Sequence, residues 1–130
     1  MSKKVVSTTT APKELGPYSQ AILDDKTLYI SGQIGIDPET NELAGATTAE
    51  QVHQIFNNID NILHEAEFSR NDIVKTTLFF DNLADFALVN DIYAKYFDTT
   101  SVEELPARSA VQVAALPKNA KLEIEITAMK

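Results

Sequence analysis

The segment Leu122-Glu123-Ile124-Glu125-Ile126-Thr127-Ala128 alternates apolar and polar residues along its whole length. Successive side chains of a strand leave by opposite faces, so a period of two requires a sheet with one face in a core. Five further strand candidates accompany it: Val5–Thr8, Gln20–Leu23, Thr27–Ile36, Ile73–Phe80 and Ala107–Leu116. Asp24-Asp25-Lys26 suits a tight hairpin between the second and third, and Asp37-Pro38-Glu39-Thr40-Asn41 ends the third with turn chemistry. Two stretches change to helical period. Val52, Ile55, Phe56, Ile59, Leu63 and Ala66 recur at three- and four-residue steps behind Thr48 and Gln51, which read as a capping box. Phe86, Val89, Tyr93 and Phe97 mark one face of a second helix from Leu83 to Phe97, with Asn82 as its cap. The order β-β-β-α-β-α-β-β gives an α+β domain, a six-stranded mixed sheet with two helices on one face.

Parity then assigns the other face. In the third strand Leu28, Ile30, Ile34 and Ile36 oppose Tyr29, Ser31, Gln33 and Gly35. In Ala107–Leu116, Ser109, Val111, Val113 and Ala115 oppose Arg108, Ala110, Gln112 and Leu116. The helix-free face is therefore expected to collect Ser31, Gln33, Arg108, Gln112 and Glu123, with any bulge shifting that grouping. Half polar and half apolar, it calls for cover by a second copy of the chain. A homo-oligomer with a site at or near the interface follows.

A chain of 130 residues is long enough for one domain and buries roughly two-thirds of the surface its unfolded form exposes. The absence of cysteine excludes disulfides, a thiolate nucleophile and cysteine-ligated zinc. Nineteen acidic against 11 basic residues leave a net charge of −8, which opposes polyanion binding at long range. The start of the chain lacks the apolar core of a signal peptide, and no apolar run approaches the ~20 residues of a membrane span. A cytoplasmic protein is expected.

The site residues are few. His53 and His64 both lie on the first helix, off its apolar stripe, and at ~1.5 Å rise per residue they stand about 16 Å apart, too far for joint metal ligation. No metal site and no Ser-His-Asp triad is expected. Ser31-Gly32-Gln33-Ile34-Gly35 matches no phosphate-binding fingerprint, and Gly32 reads as a bulge or a close backbone approach. Two arginines stand beside nine lysines. Arg70 falls in a polar loop and is expected in solvent. Arg108 opens an apolar strand, where a charge needs a partner. Its fork suits bidentate binding of a ligand carboxylate, but from its place in the sequence a salt bridge to Glu123 or Glu125 is the favoured reading. Glu123 is open to solvation, or to a raised pKa and proton handling if its face is covered. Tyr18 offers a phenolic hydrogen bond or simple packing. Asn90, inside the apolar stripe of the second helix, is expected to bond backbone groups of a neighbouring loop.

These residues lie in segments that carry a resemblance. Gly16-Pro17-Tyr18-Ser19-Gln20-Ala21, Ser31-Gly32-Gln33-Ile34 and Asp72-Ile73-Val74-Lys75-Thr76-Thr77 come first. Asp85-Phe86, Val89-Asn90 and Tyr93 follow, then Leu105-Pro106-Ala107-Arg108-Ser109, Val111, Leu116-Pro117 and Leu122-Glu123-Ile124-Glu125. In their order and spacing the chain resembles the RidA/YjgF family of small enamine/imine deaminases over essentially its whole length. The resemblance implies a single domain over residues 1–130 with a chorismate-mutase-like fold, assembled as a homotrimer with sites in clefts between subunits. It implies cofactor-free hydrolysis of 2-enamine or 2-imine acids, such as 2-aminoacrylate from serine and threonine dehydratases, to 2-keto acids and ammonia. The implied service is protection of pyridoxal-phosphate enzymes. Arg108 would hold the substrate carboxylate, Glu123 would orient water, and Tyr18, Ser31 and Gly32 would line the pocket. Many relatives carry cysteine where this chain has Ala110, which leaves the backbone of Ala110 as its contribution to binding. Two other roles remain within the resemblance: an RNA-binding endoribonuclease that inhibits translation, disfavoured by the charge, and a non-catalytic 2-keto-acid-binding regulator.

Overall fold

The described residues of this computed structural model, 3–98 and 102–130, place β8 (Leu122–Met129) near the middle of a six-stranded sheet. The strands run β1 (Lys3–Val6), β2 (Ala21–Asp24), β3 (Thr27–Gln33), β8, β6 (Ile73–Phe80) and β7 (Ala107–Gln112) across it. Every pairing is antiparallel except β6 with β7, which is parallel. The sheet is thus mixed, as expected. The alternation of β8 is realised in full: Leu122, Ile124, Ile126 and Ala128 are buried, while Glu123, Glu125 and Thr127 leave by the other face. Against the buried face lie α1 (Thr48–Glu65) and α2 (Phe86–Tyr96), so both helices share one side. Val52, Ile55, Ile59 and Ile62 of α1 are completely buried with Leu28, Leu78 and Phe80 of the sheet. Each such side chain contributes about 1.5–3 kcal/mol of transfer free energy. Phe56 joins the helices, stacking on Tyr96 at 3.9 Å and meeting Tyr93 and Phe97 edge-on at 6.3 Å.

Several local expectations shift. The capping box is Thr47 with Glu50, one residue earlier than expected: Glu50 N–H donates to Thr47 Oγ1, and Thr47 N–H to Glu50 Oε1. Thr48 and Gln51 face inward instead, Thr48 Oγ1 donating to Asp85 at 2.6 Å. The second helix begins with a short 3₁₀ turn, Leu83–Asp85, which Asn82 caps by accepting from Ala84 N–H. The third strand ends at Gln33 rather than Ile36. A bulge lies between Ile30, opposite Ile126, and Gln33, opposite Ile124. The extra residue turns Gln33 onto the buried side, so Gln33 does not join the helix-free face. Beyond it, β4 (Ile36–Asp37) and β5 (Glu42–Leu43) form a separate small hairpin.

That irregular stretch is held by polar groups of α1. Asn58 Nδ2 donates to the Ile36 carbonyl, Gln51 Nε2 donates to the Gly45 carbonyl, and Gln51 Oε1 accepts from Lys121 N–H. Both side chains are buried, and each fills backbone valences that no ladder satisfies. Arg70 is likewise not a solvated loop residue. Its Nε and Nη2 bind Asp60 at 3.1 and 2.8 Å, its Nη1 donates to the Tyr96 carbonyl, and its guanidinium lies 4.0 Å from the Tyr96 ring centroid.

Gly35 is where α1 comes closest to this segment. A Cβ there would stand 2.6 Å from the Gln51 carbonyl oxygen and 2.7 Å from its Cα, both backbone atoms that cannot step aside. Gly35→Ala should therefore lower stability by about 1–3 kcal/mol in urea denaturation. Gly16→Ala is the control, because its Cβ would meet nothing closer than the Tyr18 ring at 4.0 Å. Equal midpoints for the two variants would refute the close approach as the reason for glycine.

Candidate functional site

Sheet parity separates the expected site residues into two groups. Arg108 stands opposite Thr76 in the β6–β7 register, and Thr76 is wholly buried beneath α2. Arg108 therefore leaves the sheet on the helix side. There its Nη1 donates to Asn90 Oδ1 at 2.7 Å, and its guanidinium carbon lies 4.9 Å from the Tyr93 ring centroid and 5.5 Å from that of Phe86. Ala110, opposite Leu78, packs its methyl toward the same core, and Gln112 accepts from Leu83 N–H at 2.9 Å. The expectation that Arg108 and Gln112 share a face with Glu123 is wrong. Neither the salt bridge to Glu123 nor one to Glu125 forms, because both glutamates project from the opposite side. Asn90 bonds Arg108, not loop backbone. Beside this cluster a cavity of about 680 Å³ is lined by Asn90, Tyr93, Phe97, Leu105, Pro106 and Arg108, among others.

The second group sits on the helix-free face. Glu123, opposite Phe79, lies directly over Gly32: a Cβ on Gly32 would fall 2.1 Å from Glu123 Oε2. The bare glycine thus makes room for the carboxyl. Ser31 is fixed by donating its hydroxyl to the Ser19 carbonyl at 2.6 Å, while its N–H bonds the Gln20 carbonyl. Tyr18 accepts from Leu15 N–H at 3.0 Å through its phenolic oxygen, closing a small loop over the strand. Tyr18, Ser31, Gly32, Glu123 and Glu125 line a cleft of about 400 Å³. Four of the six expected residues are gathered here, and Arg108 and Ala110 are not.

Gln20, which sequence reasoning passed over, holds this arrangement. It is almost fully buried, accepts from Thr8 N–H at 2.7 Å, and donates to the carbonyls of Thr8, Ala11 and Pro12. The loop carrying Leu15 and Tyr18 is thereby tied to the sheet. The signal was a long amide just before a buried alanine, at a strand edge where loop backbone must find partners. His53 and His64 are both exposed on α1, as their positions implied. No helix among the described residues is long and apolar enough to cross a membrane.

Partial burial, and secondarily the charge of Glu125, push the Glu123 carboxyl above its ordinary value of 4.5. A carboxyl raised in the folded state binds more protons folded than unfolded across that window, so folding stability falls as pH rises through it. Glu123→Gln removes the penalty. The variant should melt above the wild type at about pH 7.5, and the gain should vanish as pH falls to about 4. A gain that persists at low pH would count against desolvation of this carboxyl.

Comparison with known proteins finds relatives in sequence and in fold. The family described as Endoribonuclease L-PSP matches residues 8–130. A RutC family protein of Leuconostoc mesenteroides subsp. cremoris is 90% identical over 130 residues, 100% of both chains. The 2-iminobutanoate/2-iminopropanoate deaminases of Mus musculus and Homo sapiens are 45% identical over 128 residues, 98% of this chain and 92% and 90% of theirs. A Rid family protein of Yersinia pestis superposes with a TM-score of 0.94 at 46% identity, covering 99% of this chain and 100% of that one. TdcF of E. coli, solved with bound serine, gives 0.92 at 39% identity, covering 98% of each. With the family model matched over residues 8–130 and relatives alike in sequence and fold over nearly the whole length, the chain belongs to the family described as Endoribonuclease L-PSP, the YjgF/RidA family.

Proposed function

We propose that the protein hydrolyses 2-imino acids, and the enamines that tautomerise to them, to 2-keto acids and ammonia. The observation that carries this reading is Arg108: a guanidinium beside a cavity, bonded to a neutral amide, with no salt bridge to a carboxylate among the described residues, although Asp98 and Glu103 line the same cavity. Relatives at 45% identity named 2-iminobutanoate/2-iminopropanoate deaminase support it, as does the serine bound by E. coli TdcF, an amino acid with the same carboxylate handle.

The chemistry suits these residues. Arg108 holds the carboxylate and so fixes the adjacent imine carbon, which is already electrophilic. Glu123, its carboxylate made more basic by partial burial, accepts a proton from water as the oxygen adds to that carbon. Glu123 returns that proton to nitrogen to give the neutral carbinolamine; a second transfer, from the new hydroxyl through Glu123 to nitrogen, lets the C–N bond break, and ammonia leaves as the carbonyl forms. Tyr18, Ser31 and Gly32 shape the cleft around Glu123, and the outer backbone of β7 at Ala110 is available to the substrate because β7 ends the sheet.

Arg108 and Glu123 lie on opposite faces of one sheet, so the reading requires a second copy of the chain. A homotrimer would cover the helix-free face, whose Val5, Tyr29, Val111 and Met129 are 44–63% exposed. It would set the Arg108 group of one subunit against the Glu123 group of its neighbour. The service proposed for this activity is removal of reactive enamines released by dehydratases, sparing pyridoxal-phosphate enzymes. RNA cleavage, the activity in the family description, meets the net charge of −8.

A serine/threonine dehydratase supplied with its amino acid should release keto acid faster when this protein is added. Arg108→Ala should lower kcat/KM about 100-fold, the ~2.7 kcal/mol of a charge-assisted pair, with the melting curve unchanged. Full activity in that variant would sink the assignment. Keto-acid binding without turnover would make the protein a sensor, and RNA fragments at low salt without keto acid would make it a nuclease. Light scattering should give about three times the 14.3 kDa of one chain, and a monomer with full activity would refute the shared site.

A further inference from the structure

We infer that Asn90 is the positioning residue for Arg108, and that its neutrality is what leaves the arginine able to take an anionic substrate. The inference rests on the reading of Arg108 as the carboxylate holder. Phe86, Asn90 and Tyr93 follow one another on α2 at steps of four and three, which puts all three on one stripe of the helix. That stripe forms a seat for the guanidinium. The two rings lie 5.5 and 4.9 Å from its central carbon, and between them Asn90 Oδ1 accepts from Nη1 at 2.7 Å.

The seat is itself fixed from below. The Tyr93 hydroxyl and Thr76 Oγ1 share a hydrogen bond of 2.8 Å, and Thr76 is fully buried opposite Arg108 in the sheet register. Burial raises the Tyr93 pKa, so the ring stays neutral and its face remains available to a cation. None of these contacts adds a negative charge. A guanidinium has five donors, and Asn90 uses one. A carboxylate at the same place would give the same orientation, yet it would occupy two donors and cancel the charge.

Oxygen geometry and charge can be separated by substitution. Asn90→Ala removes the acceptor, and Asn90→Asp keeps an acceptor but supplies a charge. Binding of 2-oxobutanoate by calorimetry, and KM and kcat in the dehydratase-coupled assay, are measured on the full-length protein. Asn90→Asp should weaken binding and raise KM at least 30-fold with kcat within threefold, while Asn90→Ala should raise KM no more than tenfold. The melting temperature of Asn90→Asp should equal or exceed that of the wild type, because a new ion pair forms. A purely structural role predicts the reverse order, with loss of stability and no KM-specific effect. Should Asn90→Asp fail to fold, Asn90→Glu takes its place with the same expectation. Equal effects of the alanine and carboxylate variants, or a KM within threefold of wild type for the carboxylate variant, would overturn the inference. Unchanged activity in Arg108→Ala would instead overturn the reading beneath it.

Discussion

Arg108 and Glu123 leave one sheet by opposite faces, and the rest of the site is organised around that separation. Arg108 stands opposite Thr76, a core position, whereas Glu123 stands opposite Phe79 between two buried residues of β8. Side chains of adjacent strands in register share a face, and neighbours along a strand do not. Bringing the two groups together inside one subunit would require moving β7 or β8 by one residue. A one-residue slip turns every core side chain of that strand outward. Burial of Leu122, Ile124 and Ile126 forbids this for β8, and on β7 the packing of Ala110 and the bond from Arg108 to Asn90 oppose it. The same hydrophobic pattern that makes the fold therefore keeps Arg108 and Glu123 on separate faces.

The Glu123 cleft is held by polar groups that satisfy irregular backbone. The bulge before Gln33 frees Gly32 to sit beneath Glu123, and the residues beyond it lose their ladder partners. Asn58 and Gln51, reaching up from α1, supply those partners. Gln20 does the same for the loop that carries Tyr18. A buried amide lost without replacement would leave carbonyls unpaired at about 1–3 kcal/mol each. The amides on α1 and just before β2 are thus part of what keeps the cleft open and shaped.

Strand and helix periods were legible where contrast between faces was strong. β8 came through, with one residue of difference, because its apolar residues alternate with charged or hydroxyl ones, and β6 matched as a run of β-branched and aromatic residues. β7 did not yield its facing, because it is an edge strand of small residues on both sides. Val111 is 44% exposed while Ala110 packs on the core, so hydrophobicity favours the wrong face. That misassignment carried Arg108 and Gln112 with it. The bulge was invisible for a different reason: inserting one residue changes parity without changing composition. The capping box slipped because Thr47-x-x-Glu50 and Thr48-x-x-Gln51 both satisfy the pattern, and only tertiary contact with Asp85 and Lys121 turns the second pair inward. The site residues themselves stood out through family resemblance, while their distribution over two faces required the register.

The two arginines show how the partner, and not the residue type, decides what a guanidinium does. Arg70 binds Asp60 through two parallel hydrogen bonds, stacks on Tyr96, and shares Asp60 with the Tyr96 hydroxyl at 2.5 Å. Its charge is cancelled and three donors are committed, so it ties α1 to the end of α2 and offers nothing to a ligand. Arg108 also lies against aromatic rings, but it meets an amide where Arg70 meets a carboxylate. At close range one uncancelled charge outweighs a diffuse surface excess, because solvent and salt screen the distant acids within about 10 Å. An acidic protein can then bind an anion at one point while repelling polyanions everywhere else. Loop composition suggested that Arg70 was free and sheet parity that Arg108 was paired with glutamate. The partners overturn both expectations: Arg70 is held by the Asp60 carboxylate, and Arg108 meets the Asn90 amide.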